Sequence, residues 1–493
     1  MEAERKVPLL VRLRRKYRGG YDAVAMIVYV TVVYGWALGL GPLGRDYALL
    51  AEPERLPRLL RVFWQGEMQL FGGHANPYLL VNVILLYVCM VLVYRLANAA
   101  VRGPWWLGTL AAVLFMANPV HSESVLNLSG STDLLPAALG LGALAAYSGL
   151  SAGNAASKWV LALGLFALAV LSSPANAGLI FVLLLWEGLI VESSQRSWRR
   201  LLPFAAVALA AMAHFLLPLS AADHRLAHVL SPLYFVFYPL GFLPESAQRF
   251  HAQPWTGWLA GLSTVVVVIL IAWKARRATF LFGLLAMVAM RFYPGDRAVD
   301  PVHLIGGGQL LLPTAFFYIA LAALFLRMMD HPRWRLPIVS GTTFLALIMF
   351  ITMIRSVLAW QTAWDEVRAF QAKAAAATET VGVLPDYRYY RTAPVCLSES
   401  IQYDTPFSRS VPHESLLALH KLPAAQGGIA VTSRTERSAT LAMDCRALLE
   451  AAPWPYDLLR AAEARGRACE LVVEAKGNGL SSRTLPLELP AVR

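Results

Sequence analysis

Residues 77–96 run for twenty positions with Arg95 as the only charged side chain. Twenty helical residues rise about 30 Å, the thickness of a bilayer's hydrocarbon core. Inside lipid every backbone N–H and C=O must be bonded within the protein, and a single apolar segment achieves that as a helix. Comparable runs occupy about 23–40, 104–119, 133–150, 159–174, 176–192, 201–219, 257–273, 279–294, 309–327 and 337–355. The expected fold is an all-α polytopic membrane protein with about 11 transmembrane helices. The pair 159–174 and 176–192 is short, with Ser172-Ser173-Pro174 between its halves, and reads either as two thin spans or as one broken helical hairpin. Composition agrees: 57% of residues are hydrophobic and 15% charged, outside the range of soluble domains.

A net charge of +12 would suit a nucleic-acid ligand, but the basic residues gather in short segments beside the apolar runs, where cytoplasmic anchoring is their ordinary role. No nucleic-acid partner is expected. Arg5, Lys6, Arg12, Arg14, Arg15, Lys16 and Arg18 precede the first run, and no small-residue cleavage site follows it before Pro42, Arg45 and Asp46. Residues 1–22 therefore read as a basic cytoplasmic N-terminus ahead of a retained span. Alternate loops then receive Arg95 and Arg102, Lys158, Arg196 with Arg199 and Arg200, Lys274 with Arg276 and Arg277, and Arg327 with Arg333 and Arg335. With these loops inside, residues 23–358 form the membrane domain and residues 359–493 face outward. The location that follows is a bacterial inner membrane with a periplasmic C-terminal segment.

That segment changes character. Trp364–Thr380 reads as an amphipathic helix, 428–432, 468–475 and 483–489 as β-like runs, and 454–465 as a helix, together a small α+β domain outside the membrane. Cys89 falls inside a span and reads as packing. Of Cys396, Cys445 and Cys469, an oxidising compartment permits one pair and leaves one thiol, and the sequence does not choose the pair. No Cys/His spacing in the tail matches a zinc site.

The polar stretch Asn118-Pro119-Val120-His121-Ser122-Glu123-Ser124, followed by Ser131-Thr132-Asp133-Leu134-Leu135, lies where one apolar run turns back into the next. Ionisable groups near membrane depth cost several kcal/mol unless paired or wetted, which makes His121, Glu123 and Asp133 candidate functional residues. The other reading is a water-exposed hairpin loop in which Asp133 caps the next helix. Two further segments share its face under this topology: Gly44-Arg45-Asp46-Tyr47, and Arg291 to Arg297 continuing to Gln309. His224 and Arg225 lie in the 219–256 loop. A carboxylate that receives the proton of an attacking hydroxyl, beside cations that neutralise a departing phosphate, is what transfer from a phosphate-linked donor requires. No phosphate-binding loop, GxSxG or HExxH is present, and Gly306-Gly307-Gly308 has no strand before it.

The run N-P-V-H-S-E-S leading to S-T-D-L-L resembles the hairpin of the GT-C superfamily of membrane glycosyltransferases, which typically reads H-P-x-H-T-E-x-V and then G-R-A-D-L-L. The stretch from Phe71-Gly72-Gly73-His74 through Asn76-Pro77 and Asn82 to Val93-Tyr94-Arg95-Leu96 is similar to the family's second span. Gly307-Gly308-Gln309-Leu310-Leu311-Leu312-Pro313-Thr314 is similar to its G-x-R-Y-L-Y-L-P-S motif. The resemblance covers roughly residues 40–325, and the tail has no counterpart in it. It implies Asp46 as general base, Glu123 and His121 orienting acceptor or metal, and Asp133 and Gln309 binding substrate. Asn118 stands for the first His, Ser131 and Gln309 stand for arginines, and Arg45 stands where many relatives have a second acid. Phosphate binding then falls to Arg291, Arg297 or Arg225, or the activity has drifted.

The resemblance thus implies transfer, usually inverting, of a sugar from a polyprenyl-phosphate carrier to a protein, lipid or glycan acceptor on the outer face, with the carrier's tail among membrane lipids. Some relatives use a divalent metal, and the sequence shows no complete ligand set for one. A non-catalytic subunit of an envelope assembly complex is the alternative that the missing arginines favour. A transporter is a third class, disfavoured because charges sit in loops and no inverted repeat is visible.

Overall fold

The computed structural model describes residues 18–43, 46, 49–50, 53–104, 106–152, 155–215, 277–290, 307–329 and 331–376, and six strands between 387 and 486. The described residues are mostly helical. In chain order the main helices are α1 (Arg18–Tyr34), α2 (Arg58–Phe71), α3 (Ala75–Val101), α4 (Trp106–Ala117), α5 (Ser131–Ser148), α6 (Ala155–Ser172), α7 (Leu179–Leu185), α8 (Leu202–Phe215), α9 (Arg277–Ala289), α10 (Leu311–Met329) and α11 (Pro332–Ala376).

Among the described residues, three helical stretches are long and apolar enough to cross a membrane: Ala75–Val101, Gly308–Met329 and Pro332–Ala369, with mean hydropathy of 2.3, 2.0 and 2.0. Shorter apolar helices occupy Ile27–Ala37, Trp106–Ala117, Ala156–Ser172, Pro174–Ile190 and Ala278–Ala289. The expected run 257–273 lies outside the described residues. At Ser173 the chain leaves α6, makes one 3-10 turn over Pro174–Gly178 and enters α7, which ends in a π-turn over Trp186–Ile190. Proline both stops the first helix and starts the next turn, because it lacks an N–H but holds a helical φ.

The final span and the amphipathic stretch after it are expected as separate elements, yet α11 carries both without a break. The intervening Ser356-Val357-Leu358-Ala359-Trp360-Gln361-Thr362-Ala363 contains neither Gly nor Pro, so nothing in it stops a helix.

The chain forms two compact units. The first comprises Met1–Gly39, Leu56–Gly66 and Asn76–Val357, the second Leu40–Arg55, Glu67–Ala75 and Leu358–Arg493. In the first, α5 packs on α6, and α10 packs on α4 and α9. Phe204 of α8 is fully buried with Tyr147, Trp159 and Phe166 set edge-on to it at 5.7, 6.1 and 5.4 Å. Phe282 of α9 sits between Trp186 and Phe316 at 5.2 and 6.0 Å. Edge-to-face rings like these contribute about 0.5–1.5 kcal/mol per pair beyond their buried area.

In the second unit β1 (Tyr387–Tyr390) pairs with β2 (Ala393–Cys396), and β3 (Ala430–Arg434), β4 (Ser438–Asp444), β5 (Ala468–Lys476) and β6 (Gly479–Pro486) form an antiparallel sheet in sequential order. Cys396 and Cys469 lie in β2 and β5, whereas Cys445 and the expected helix 454–465 lie outside the described residues.

Candidate functional site

The hairpin between α4 and α5 is built by its own polar residues. Asn118 caps a 3-10 turn over Pro119–His121: its Oδ1 accepts the Val120 N–H at 3.0 Å, and its Nδ2 donates to the Tyr318 hydroxyl of α10 at 3.0 Å. A single helical turn, Ser122–Leu126, and a second 3-10 turn, Leu128–Gly130, then lead into α5. Residues 118–132 are buried throughout. This overturns the reading of a water-exposed loop. Val120, Val125, Leu126 and Leu128, none more than 1% exposed, alternate with the polar residues and carry the segment into the core.

His121 is 0% exposed, its ring 4.6 Å from that of Phe115, and its Nε2 lies 2.9 Å from Thr314 Oγ1 at the start of α10. Burial pushes its pKa down to about 3, against a smaller upward pull from the Phe115 carbonyl, so the ring is neutral at physiological pH. Glu123 is 6% exposed on the single-turn helix, whose Glu123 carbonyl accepts the Asn127 N–H at 3.1 Å. Asn82 of α3 donates from Nδ2 to the Val125 and Asn127 carbonyls at 3.3 and 2.6 Å, pinning the hairpin to that helix. Among the described residues, Asn82 Oδ1, His121 Nδ1, Ser122 Oγ and both amide atoms of Asn127 are buried and make no hydrogen bond within the protein. Atoms of this kind take water or a bound polar molecule as partner, since leaving one bare costs about 1–3 kcal/mol.

Asp133 and Gln309, candidate substrate contacts 176 positions apart in the chain, line one cavity of about 90 Å³ with Thr132, Ser173 and Asn176. Asp133 is its one charged residue among the described residues that line it. A side chain at Gly308 would put Cβ 2.2 Å from Asp133 Oδ2, so only glycine lets the carboxylate lie against the turn before α10. Ser124 Oγ donates to the same oxygen at 3.3 Å. Asn176 spends both amide protons, on the Pro136 and Ala169 carbonyls at 3.1 Å each, which leaves its Oδ1 as the atom available to the cavity. Pro136 lacks the N–H that would bond the Thr132 carbonyl along α5, and both residues line the cavity. The lining is therefore rich in acceptors and matches a ligand that presents O–H groups. Its volume suits a few hydroxyls rather than a whole ligand.

Sequence reasoning gave Thr314 a place in the late motif but no role, and it missed Tyr318 and Asn176. The polar break Ser172-Ser173-Pro174 was the signal for the last, because a helix interruption at membrane depth is tolerated where it lines a cavity.

Asp46 belongs to the second unit. It is 0% exposed; its Oδ2 accepts the Leu43 N–H at 3.1 Å, and its own N–H donates to the Leu43 carbonyl at 3.2 Å, closing a tight turn. Arg45, Arg225, Arg291 and Arg297 lie outside the described residues. Among the described residues no three His, Cys, Asp or Glu side chains are grouped as a metal site would require. Compared with known proteins, the chain matches no family model and no curated protein sequence.

Proposed function

We propose that the chain is a GT-C-like glycosyltransferase that moves a sugar from a polyprenyl-phosphate carrier to an acceptor. The observation that supports this most is the meeting of Asp133 with Gln309 in one acceptor-rich cavity, beside the His121–Thr314 bond. Two segments that resemble family motifs, far apart in the chain, are thereby neighbours. In this reading the acceptor hydroxyl attacks the anomeric carbon, its proton goes to a carboxylate, and the bond from that carbon to the phosphate oxygen breaks to release polyprenyl phosphate. The base is Asp46 by resemblance alone. Asp133, Gln309 and Asn176 hold sugar hydroxyls, and Arg291, Arg297 or Arg225 neutralises the phosphate. The reading includes about 11 spans, a cytoplasmic N-terminus, a bacterial inner membrane and a small periplasmic α+β domain after residue 358.

The burial of His121 and its commitment to Thr314 favour a second reading. In it the fold is kept as a non-catalytic subunit of an envelope assembly, with the hairpin serving architecture. One assay separates the two: purified protein in lipid nanodiscs, incubated with a panel of polyprenyl-phosphate sugars and scored for released polyprenyl phosphate. Release that drops at least tenfold in Asp133→Asn supports the transferase. No release from any donor leaves the non-catalytic subunit.

A further inference from the structure

We propose that the turn between α10 and α11 is a binding site for an anionic phospholipid of the surrounding bilayer. A groove of about 250 Å³ opens there between the end of one membrane-crossing helix and the start of the next, lined by Phe325 and Met328 of α10 and by Trp334, Ile338, Gly341 and Leu345 of α11. The lining is almost wholly apolar, and the span that follows is scarcely covered by protein: 22% of its most apolar stretch is buried, with Leu336, Phe344 and Leu347 at 77%, 63% and 51% exposure. An acyl chain fits such a trough.

What lies at its end distinguishes it from ordinary lipid-facing surface. Trp334, an interface-seeking residue, is flanked by Arg333 and Arg335, both exposed, and Arg335 Nε donates to the Met329 carbonyl at 3.1 Å. That bond holds the guanidinium over the last turn of α10, with its terminal nitrogens left for another acceptor. Arg327 is a third cation on α10, and Asp330 is the one acid in the sequence between 327 and 335. A phosphodiester whose chain occupies the groove would meet a site of net positive charge at its headgroup. The charge complementarity selects a phospholipid rather than a second copy of this chain, whose matching surface would have to carry the acids.

Gly341 makes the test clean, because a Cβ built there meets nothing within 4 Å. Gly341→Leu therefore starts its side chain in open space at the groove lining. Native mass spectrometry of the full chain released from nanodiscs of mixed phosphatidylglycerol and phosphatidylcholine reads retained lipid directly. The expected result is retention of phosphatidylglycerol over phosphatidylcholine, reduced about fivefold by Arg333→Gln, the effect of one basic residue at an anionic surface. Gly341→Leu should abolish retention of both lipids without lowering the melting temperature. Equal retention of the two lipids by the parent, or unaltered retention by a folded Gly341→Leu protein, overturns the proposal. Displacement of phosphatidylglycerol by equimolar polyprenyl phosphate makes the groove a donor-lipid site and equally overturns it, as does a dimer that disappears in Gly341→Leu.

Discussion

His121 Nε2 lies 2.9 Å from Thr314 Oγ1, a residue 193 positions further along the chain, and the threonine dictates the proton's place. Thr314 has one hydroxyl proton, and its Oγ1 lies 2.8 and 3.0 Å from the Leu310 and Leu311 carbonyls of the preceding turn. A carbonyl cannot donate, so the hydroxyl proton goes to the backbone and Thr314 accepts from His121. The imidazole is thereby assigned the Nε2–H tautomer, with Nδ1 buried on the other side of the ring.

That arrangement predicts a dependence on pH. The folded pKa of about 3 lies below the ordinary 6.5, so between those values the unfolded chain binds a proton that the folded chain refuses. The stabilisation is complete above about pH 6.5 and is lost as pH falls toward 3, at about 1.4 kcal/mol per pH unit. Melting curves at pH 7, 5.5 and 4.5 should show the parent losing stability faster than His121→Gln, which keeps a donor for Thr314 but does not titrate. Parallel curves would mean that the ring accepts the proton while folded.

Gly308 should resist replacement even by alanine. An alanine methyl there would sit 2.2 Å from Asp133 Oδ2 and 2.3 Å from Cγ, so either the carboxylate or the turn before α10 has to move. Gly308→Ala is expected to lower the melting temperature and weaken ligand binding together. Gly164→Ala on α6 is the control: its Cβ meets nothing within 4 Å, and a helix gains about 0.8–1 kcal/mol from the exchange. If both variants behave alike, the contact between Asp133 and the turn is not constraining.

Asn176 offers a graded test of the break after α6. In Asn176→Ala the Ala169 carbonyl keeps Ser172 Oγ at 2.8 Å and the Ser173 N–H at 3.0 Å, and the Pro136 carbonyl, which stays in the α5 backbone ladder, loses its second donor. The net loss of one hydrogen bond with no acceptor left bare costs about 0.5–1.5 kcal/mol. Chemical denaturation of the purified protein should show a loss in that range, and a loss near zero would mean that water replaces the amide.

The apolar runs carried the helices because the bilayer leaves a long charge-free segment a single way to satisfy its backbone, and residues 77–96 sit within α3 for that reason. The hairpin was legible as polar, but its burial was not: a sequence shows that His121 and Glu123 are polar and does not show that Thr314 of α10 reaches His121 or that Asn82 of α3 bonds the Val125 and Asn127 carbonyls. The junction near residue 358 misled because composition changes there while helix propensity does not, so α11 continues through it. The cavity depended on Asn176 and Gly308, residues without ionisable groups whose roles come from a backbone break and a close approach. Such contributions carry no periodicity or spacing to read.

Asp46 tests the transferase reading most directly. As a general base it should contribute about 10²–10⁴-fold to turnover by receiving the acceptor's proton as the bond forms. As a structural residue it closes the turn with Leu43, where Oδ2 accepts one N–H at 3.1 Å. Asn retains an oxygen for that N–H and loses only charge and basicity, so Asp46→Asn should cost about 1 kcal/mol of stability, the difference between a charged and a neutral acceptor. Asp46→Ala removes the acceptor altogether and should unfold the turn as well as the activity. The expected pattern is a well-folded Asp46→Asn protein whose turnover with a polyprenyl-phosphate sugar falls by at least a hundredfold while donor binding is kept. Turnover equal to the parent's in Asp46→Asn, together with a defect confined to stability in Asp46→Ala, would assign the carboxylate to the Leu43 turn and leave the base to another residue.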